Sequence, residues 1–104
     1  MQVTTSITDY VDSHAFGTFT VWSTASDAAA VGAPANWAAV YYSCIRMNNT
    51  TALIVAYMMT RSTTNNEVYI KQKYATGWVD GWQKMPNKAD LDALDARITA
   101  LENS

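Results

Sequence analysis

The chain has 104 residues, enough for one compact core and too few for two. Charged residues make up 15% with a formal net charge of −2, so there is no basic stripe to neutralise phosphates, and nucleic acid is excluded as an expected partner. A single cysteine, Cys44, cannot close an internal disulfide and, with His14 as the sole histidine, does not build a structural zinc site, so neither a metal nor a cofactor is expected.

In chain order, residues 1–8 are polar and β-branched with no burial pattern of their own, and read as an arm joined to a preceding segment or a neighbouring subunit. Residues 1–12 lack the basic-then-apolar order of a signal peptide, which favours assembly in a cytoplasm over classical secretion. Residues 16–22 set Phe19 and Val21 among Thr18, Thr20 and Trp22, the period-2 pattern of a half-buried strand. Residues 23–36 are small and include Gly32 and Pro34, so they predict a loop or irregular turn despite the alanines at 28–30.

Three β-prone segments follow, 37–47, 52–61 and 67–74, each dense in Tyr, Val, Ile and Met. Asn48-Asn49 and the polar stretch 62–66 separate them, as expected for reversals of an antiparallel sheet. The longest apolar run, 52–59, stops at Thr60 and Arg61, short of the ~20 residues that span a bilayer, so no membrane insertion is expected. The segment 78–85 is flanked by Gly77 and interrupted by Gly81, which permit a tight turn or bulge. The expected fold class is mainly β, a small antiparallel meander or sandwich-like domain of about five strands.

Pro86 ends that segment, and Asn87 with Asp90 has the spacing of a capping box, Asp standing in the usual Glu place. Leu91, Leu94, Ile98 and Leu101 follow at steps of three, four and three, a seam about two heptads long. The stripe is narrow for packing on its own domain, which favours oligomerisation over a fold-back onto the sheet, though both remain open. Arg97 and Glu102 fall at the g and following e positions that meet between parallel helices, whereas Asp90 and Asp95 would meet in the same way and repel. A homotrimer is the preferred count, with a dimer as the alternative.

Trp78 and Trp82 are the most tempting sugar platform, although core packing is the more ordinary role for tryptophan in a small β domain. Tyr69 and Tyr74, like Tyr41 and Tyr42, sit on strands whose alternation sends about half of them outward, to a glycan or a neighbouring subunit. Met58-Met59 reads as adaptable core filling, Cys44 as a small buried hydrophobe and His14 as a solvated loop residue. Nothing singles out Asp9, Asp12, Asp27, Glu67 or Asp80 as a catalytic pair, and no nucleophile motif is present, so no enzymatic activity is expected.

The stretch 9–85 resembles the knob domain of pyocin and bacteriophage tail fibres. The resemblance is carried by Phe16-Gly17-Thr18-Phe19, by Gly32-Ala33-Pro34, by the strand at 52–59, and above all by Glu67-Val68-Tyr69-Ile70-Lys71 followed by Gly77-Trp78-Val79-Asp80-Gly81-Trp82. The family often has Arg where this chain has Lys71, and Ser or Pro where it has Asp80-Gly81. The resemblance implies a knob-like domain at 9–85, between the arm read at 1–8 and the coiled-coil helix read at 86–104. It further implies a virion component: a homotrimeric tail-fibre part that joins other fibre segments and contributes to recognition of a bacterial surface glycan. A carbohydrate-binding module and a removable fibre assembly chaperone are the alternative functions.

Overall fold

The computed structural model describes residues 1–59, 66–75 and 77–103. Among these residues the elements run in the order α1 (Ile7–Ser13), β1 (Gly17–Ser23), a 3-10 turn (Ala25–Asp27), α2 (Ala28–Val31), β2 (Val40–Arg46), β3 (Thr51–Met58), β4 (Val68–Tyr74), β5 (Gly77–Trp78), β6 (Gln83–Met85) and α3 (Lys88–Glu102). The strands form one antiparallel sheet in the order β1-β2-β3-β4, with β5 and β6 both paired to the outer edge of β4. It is a meander with a single sheet, not a sandwich. The expected last strand is split: its two halves lie along the same edge, and the turn between them places Gly81 at φ +74°, a left-handed conformation that glycine adopts without steric cost.

The hairpin from β2 to β3 turns at Asn48, whose side-chain oxygen accepts hydrogen bonds from the Thr50 amide at 2.9 Å and hydroxyl at 3.0 Å. Such local bonding is what makes Asn a turn former. The reversal expected at 62–66 lies outside the described residues except for Asn66, as does the predicted end of β3 at Arg61.

Register follows from the pleat. Val21 stands opposite Tyr42, Tyr42 opposite Ala56, and Ala56 opposite Tyr69; one residue-pair along, Phe19, Cys44, Ile54 and Lys71 form the next row. These rows point to one face. There Val21, Val40, Tyr42, Cys44, Ala52, Ile54, Ala56 and Met58 are buried under a layer made by Val3, Ile7 and Val11 from the N-terminal segment and Val31 from α2. Burying an Ile or Val side chain contributes about 1.5–3 kcal/mol, so this shared cluster is the main source of the domain's stability.

Two expectations need correction. Residues 1–8 are not without a burial pattern. Val3 and Ile7 enter the core, and Gln2 makes a parallel bridge beside Trp22, with the Val3 amide donating to the Trp22 carbonyl at 2.8 Å and the Trp22 amide to the Met1 carbonyl at 3.1 Å. The segment covers the free edge of β1, a place where unpaired backbone groups would invite another strand. It leads into α1, capped by Ser6, whose hydroxyl accepts from the Asp9 amide. Nor is 23–36 wholly irregular: Ala28–Val31 forms one helical turn that buries Ala28 and Val31 and stops at Gly32 with φ +75°.

At the other end, α3 starts with the expected capping box. The Asn87 side chain accepts from the Asp90 amide at 2.9 Å, and the Asp90 carboxylate accepts from the Asn87 amide at 3.1 Å. Lys84 on β6 bridges to Asp90 at 3.2 Å and to Glu67 at 3.8 Å, fixing the first turn to the sheet edge. Beyond that turn α3 buries none of its residues. The overall extents of 54 × 30 × 21 Å and a radius of gyration of 16.1 Å, against about 13 Å for a compact chain of this length, reflect this projecting helix.

Candidate functional site

Of the four aromatic residues singled out as possible glycan contacts, three lie on the covered side of the sheet and one does not. Alternation along β4 puts Tyr69, Lys71 and Lys73 on the core face, and Trp78 on β5 stands opposite Lys73. Tyr74 falls on the other face and is 73% exposed. The four do not form one platform.

The two tryptophans are half-buried and packed against the core cluster. Trp78 Nε1 donates to the Asp12 carboxylate of α1 at 3.2 Å, and Lys73 Nζ reaches the same carboxylate at 2.8 Å. Trp82 Nε1 donates to the Gly32 carbonyl at the end of α2 at 2.9 Å, with its ring 6.3 Å from that of Tyr42 and the Lys71 ammonium 5.4 Å from its centroid. Each indole N–H therefore ties the broken last strand to one of the two covering helices. The arrangement works as a pair of clasps, in keeping with the preference of a half-buried tryptophan for an apolar body and a satisfied N–H. What stays open beside Trp82 is a depression of about 180 Å³ lined by residues including Lys71, Val79, Asp80 and Gly81, below the ~300 Å³ at which small-molecule pockets usually start.

Tyr69 donates its hydroxyl proton to the Glu67 carboxylate. Partial burial, together with that bond and the nearby negative charge of Glu67 and Asp90, pushes the phenol up to about 12. Tyr42 and Ser23, both fully buried, share a hydroxyl–hydroxyl bond of 2.9 Å; burial raises the Tyr42 phenol, and burial alone pushes the Cys44 thiol up to about 12. Cys44 is thus a core residue, as the sequence predicts. His14 is not a freely solvated loop residue: its ring stacks on Phe19 at 3.6 Å between centroids and its Nδ1 bonds the Ala15 carbonyl at 2.9 Å. Met58 is buried, as core filling requires, while Met59 is exposed.

The more extensive features are two exposed apolar surfaces. The first is the α3 seam, where Leu91, Leu94, Ile98 and Leu101 are 46–75% exposed. The second was expected from sequence only in that about half of the strand tyrosines would face outward. It is the open face of the sheet, where the registers Trp22–Tyr41 and Tyr41–Tyr57 align three aromatic residues across β1, β2 and β3. Each is about 40% exposed, and the Tyr41 and Tyr57 rings lie 6.5 Å apart. Ile45, Leu53, Val55, Val68, Ile70 and Met85 share that face, which carries a groove of about 480 Å³ lined by Ile45, Met47, Leu53, Ile70 and Gln83 among others. The signal for it is in β3, which is apolar at both parities: Leu53, Val55 and Tyr57 as well as Ala52, Ile54, Ala56 and Met58.

None of the described helices is long and apolar enough to cross a membrane. No family model matches the chain, and neither does any curated protein or solved structure.

Proposed function

We propose that the chain is a structural, receptor-facing segment of a homotrimeric bacteriophage or tailocin tail fibre, a non-catalytic virion part that joins other fibre segments and contributes to contact with a bacterial surface glycan. The observation that carries this reading is α3. A capped 15-residue helix is tied to its own domain at its first turn, while Leu91, Leu94 and Ile98 follow heptad spacing and remain exposed. A helix of this length is marginal alone, and parallel copies of the same helix supply the burial that stabilises it. The likeness of the Tyr69-to-Trp82 signature to tail-fibre knobs supplies the biological setting.

The test is sedimentation of the wild-type chain beside Leu94→Asp. Charge in a dry seam is costly, so the variant sediments as a smaller species with the circular dichroism of its strands unchanged. An unchanged assembly would remove the helix from the account.

A second reading, a carbohydrate-binding module, is favoured by the Lys71 ammonium over the Trp82 ring next to an open depression. Saturable binding of a bacterial polysaccharide, lost in Lys71→Ala while the fold is kept, supports it; binding unaffected by that change removes this site.

A further inference from the structure

We infer that the open face of the sheet is a second self-association surface, covered in the assembled protein by another copy of this chain. One face of an antiparallel sheet is ordinarily solvated and polar. Here the outward positions include Trp22, Tyr41, Ile45, Leu53, Val55 and Ile70, interspersed with the neutral polar Thr20, Ser43 and Gln72, a mainly apolar field of the kind that marks a protein–protein contact.

Charge and area identify the occupant. Among the described residues no outward-facing strand position carries a charge: the strand residues that do, Arg46, Lys71, Lys73 and Lys84, all have the parity of the covered face. A partner recognised by complementary charge would find nothing to pair with, whereas copies of one chain meeting here bring no like charges together. Four strands of seven or eight residues present roughly 500 Å² in projection. That is short of the ~600 Å² per partner at the low end of stable interfaces. The α3 strip adds roughly 200 Å², and only Pro86 and Asn87 separate it from β6, whose Met85 belongs to the open face. Each surface is weak alone; together they reach the size of a stable interface. The choice of a second copy rests on the fibre reading, while the burial of the face does not.

The test uses the full chain. Ile45→Lys and Tyr57→Lys put a charge at positions 44% and 41% exposed in the single chain, so the fold is kept, as unchanged circular dichroism and continued protection of the Cys44 thiol confirm. Sedimentation is expected to show each variant weakening self-association by about tenfold or more. Hydroxyl-radical footprinting of the wild type is expected to show protection of Trp22, Tyr41 and Tyr57 that grows with concentration, with Phe16 unchanged. If the Lys variants associate like wild type while Leu94→Asp dissociates, the inference is overturned and the fibre reading survives. If the Lys variants dissociate and Leu94→Asp does not, the inference stands and the α3 seam fails. A monomeric wild type whose aromatic row is protected only by added neutral bacterial polysaccharide overturns it in favour of a glycan platform.

Discussion

The two faces of this sheet are built from the same residue types and have different fates. Ile54 and Ile45 sit on neighbouring strands; the first is fully buried under α1 and α2, the second 44% exposed. Tyr42 and Tyr41 are adjacent in sequence, and the first is sealed against Ser23 while the second stands in an exposed aromatic row. Hydrophobicity does not separate them. What does is the covering layer: among the described residues it comes from residues 1–31 and lies on a single side. A sheet apolar on both faces with one cover is a half-complete object, and the proposed self-association would supply the other half.

Substitutions can break that comparison. Ile54→Ala should cost about 2–5 kcal/mol, because the cavity it leaves under α1 and α2 cannot collapse fully. Ile45→Ala, measured by urea unfolding at concentrations low enough to keep the chain dispersed, should cost less than about 1 kcal/mol. Equal losses at the two sites would mean that the open face is packed within the single chain. Tyr42→Phe should cost about 1–2 kcal/mol in the same assay, since the buried Ser23 hydroxyl loses its partner.

At the helix, Asn87→Ala should remove about 1 kcal/mol of α3 stability, visible as lost helical dichroism with the strand signal intact. The Asp90 carboxyl sits below its usual 3.8, held there first by the Asn87 backbone amide and then by Lys84. Its folded value is depressed, so its contribution is complete above the unfolded value and is lost as pH falls through the folded one. Acid titration below about pH 4 should therefore unwind the first turn of α3 before the sheet melts, and Asp90→Asn should flatten that titration. The smallest signal is from Cys44: with its thiol pushed up to about 12 by burial, thiol reagents at neutral pH should label it only when the chain unfolds.

Much of the covered side was legible in the sequence because alternation and turn chemistry act locally. The strand at 16–22, the Asn48-Asn49 reversal, the break at Gly81 and the Asn87–Asp90 capping box each follow from residues within a few positions of one another. The N-terminal cover was harder. Ser6 and Asp9 have capping spacing, and Val3, Ile7 and Val11 recur every four residues, yet the helix is under two turns long and its apolar stripe has meaning only against a sheet formed later in the chain. The roles of Trp78 and Trp82 were equally hidden, because their partners, Asp12 and Gly32, are 66 and 50 residues away. Tyr69 and Tyr74 could be assigned to opposite faces from parity alone, since they stand an odd number of positions apart. The double apolar parity of β3 marked the open face, but a segment apolar at both parities also fits a strand buried on both sides, and the one-sided cover among the described residues decides between them.

The most direct test of self-association through exposed apolar surfaces is the solution mass of the purified full chain, followed by light scattering over a wide concentration range. The account predicts a particle of three chains, giving way to smaller species only on dilution; the mass of one chain at every concentration would contradict it.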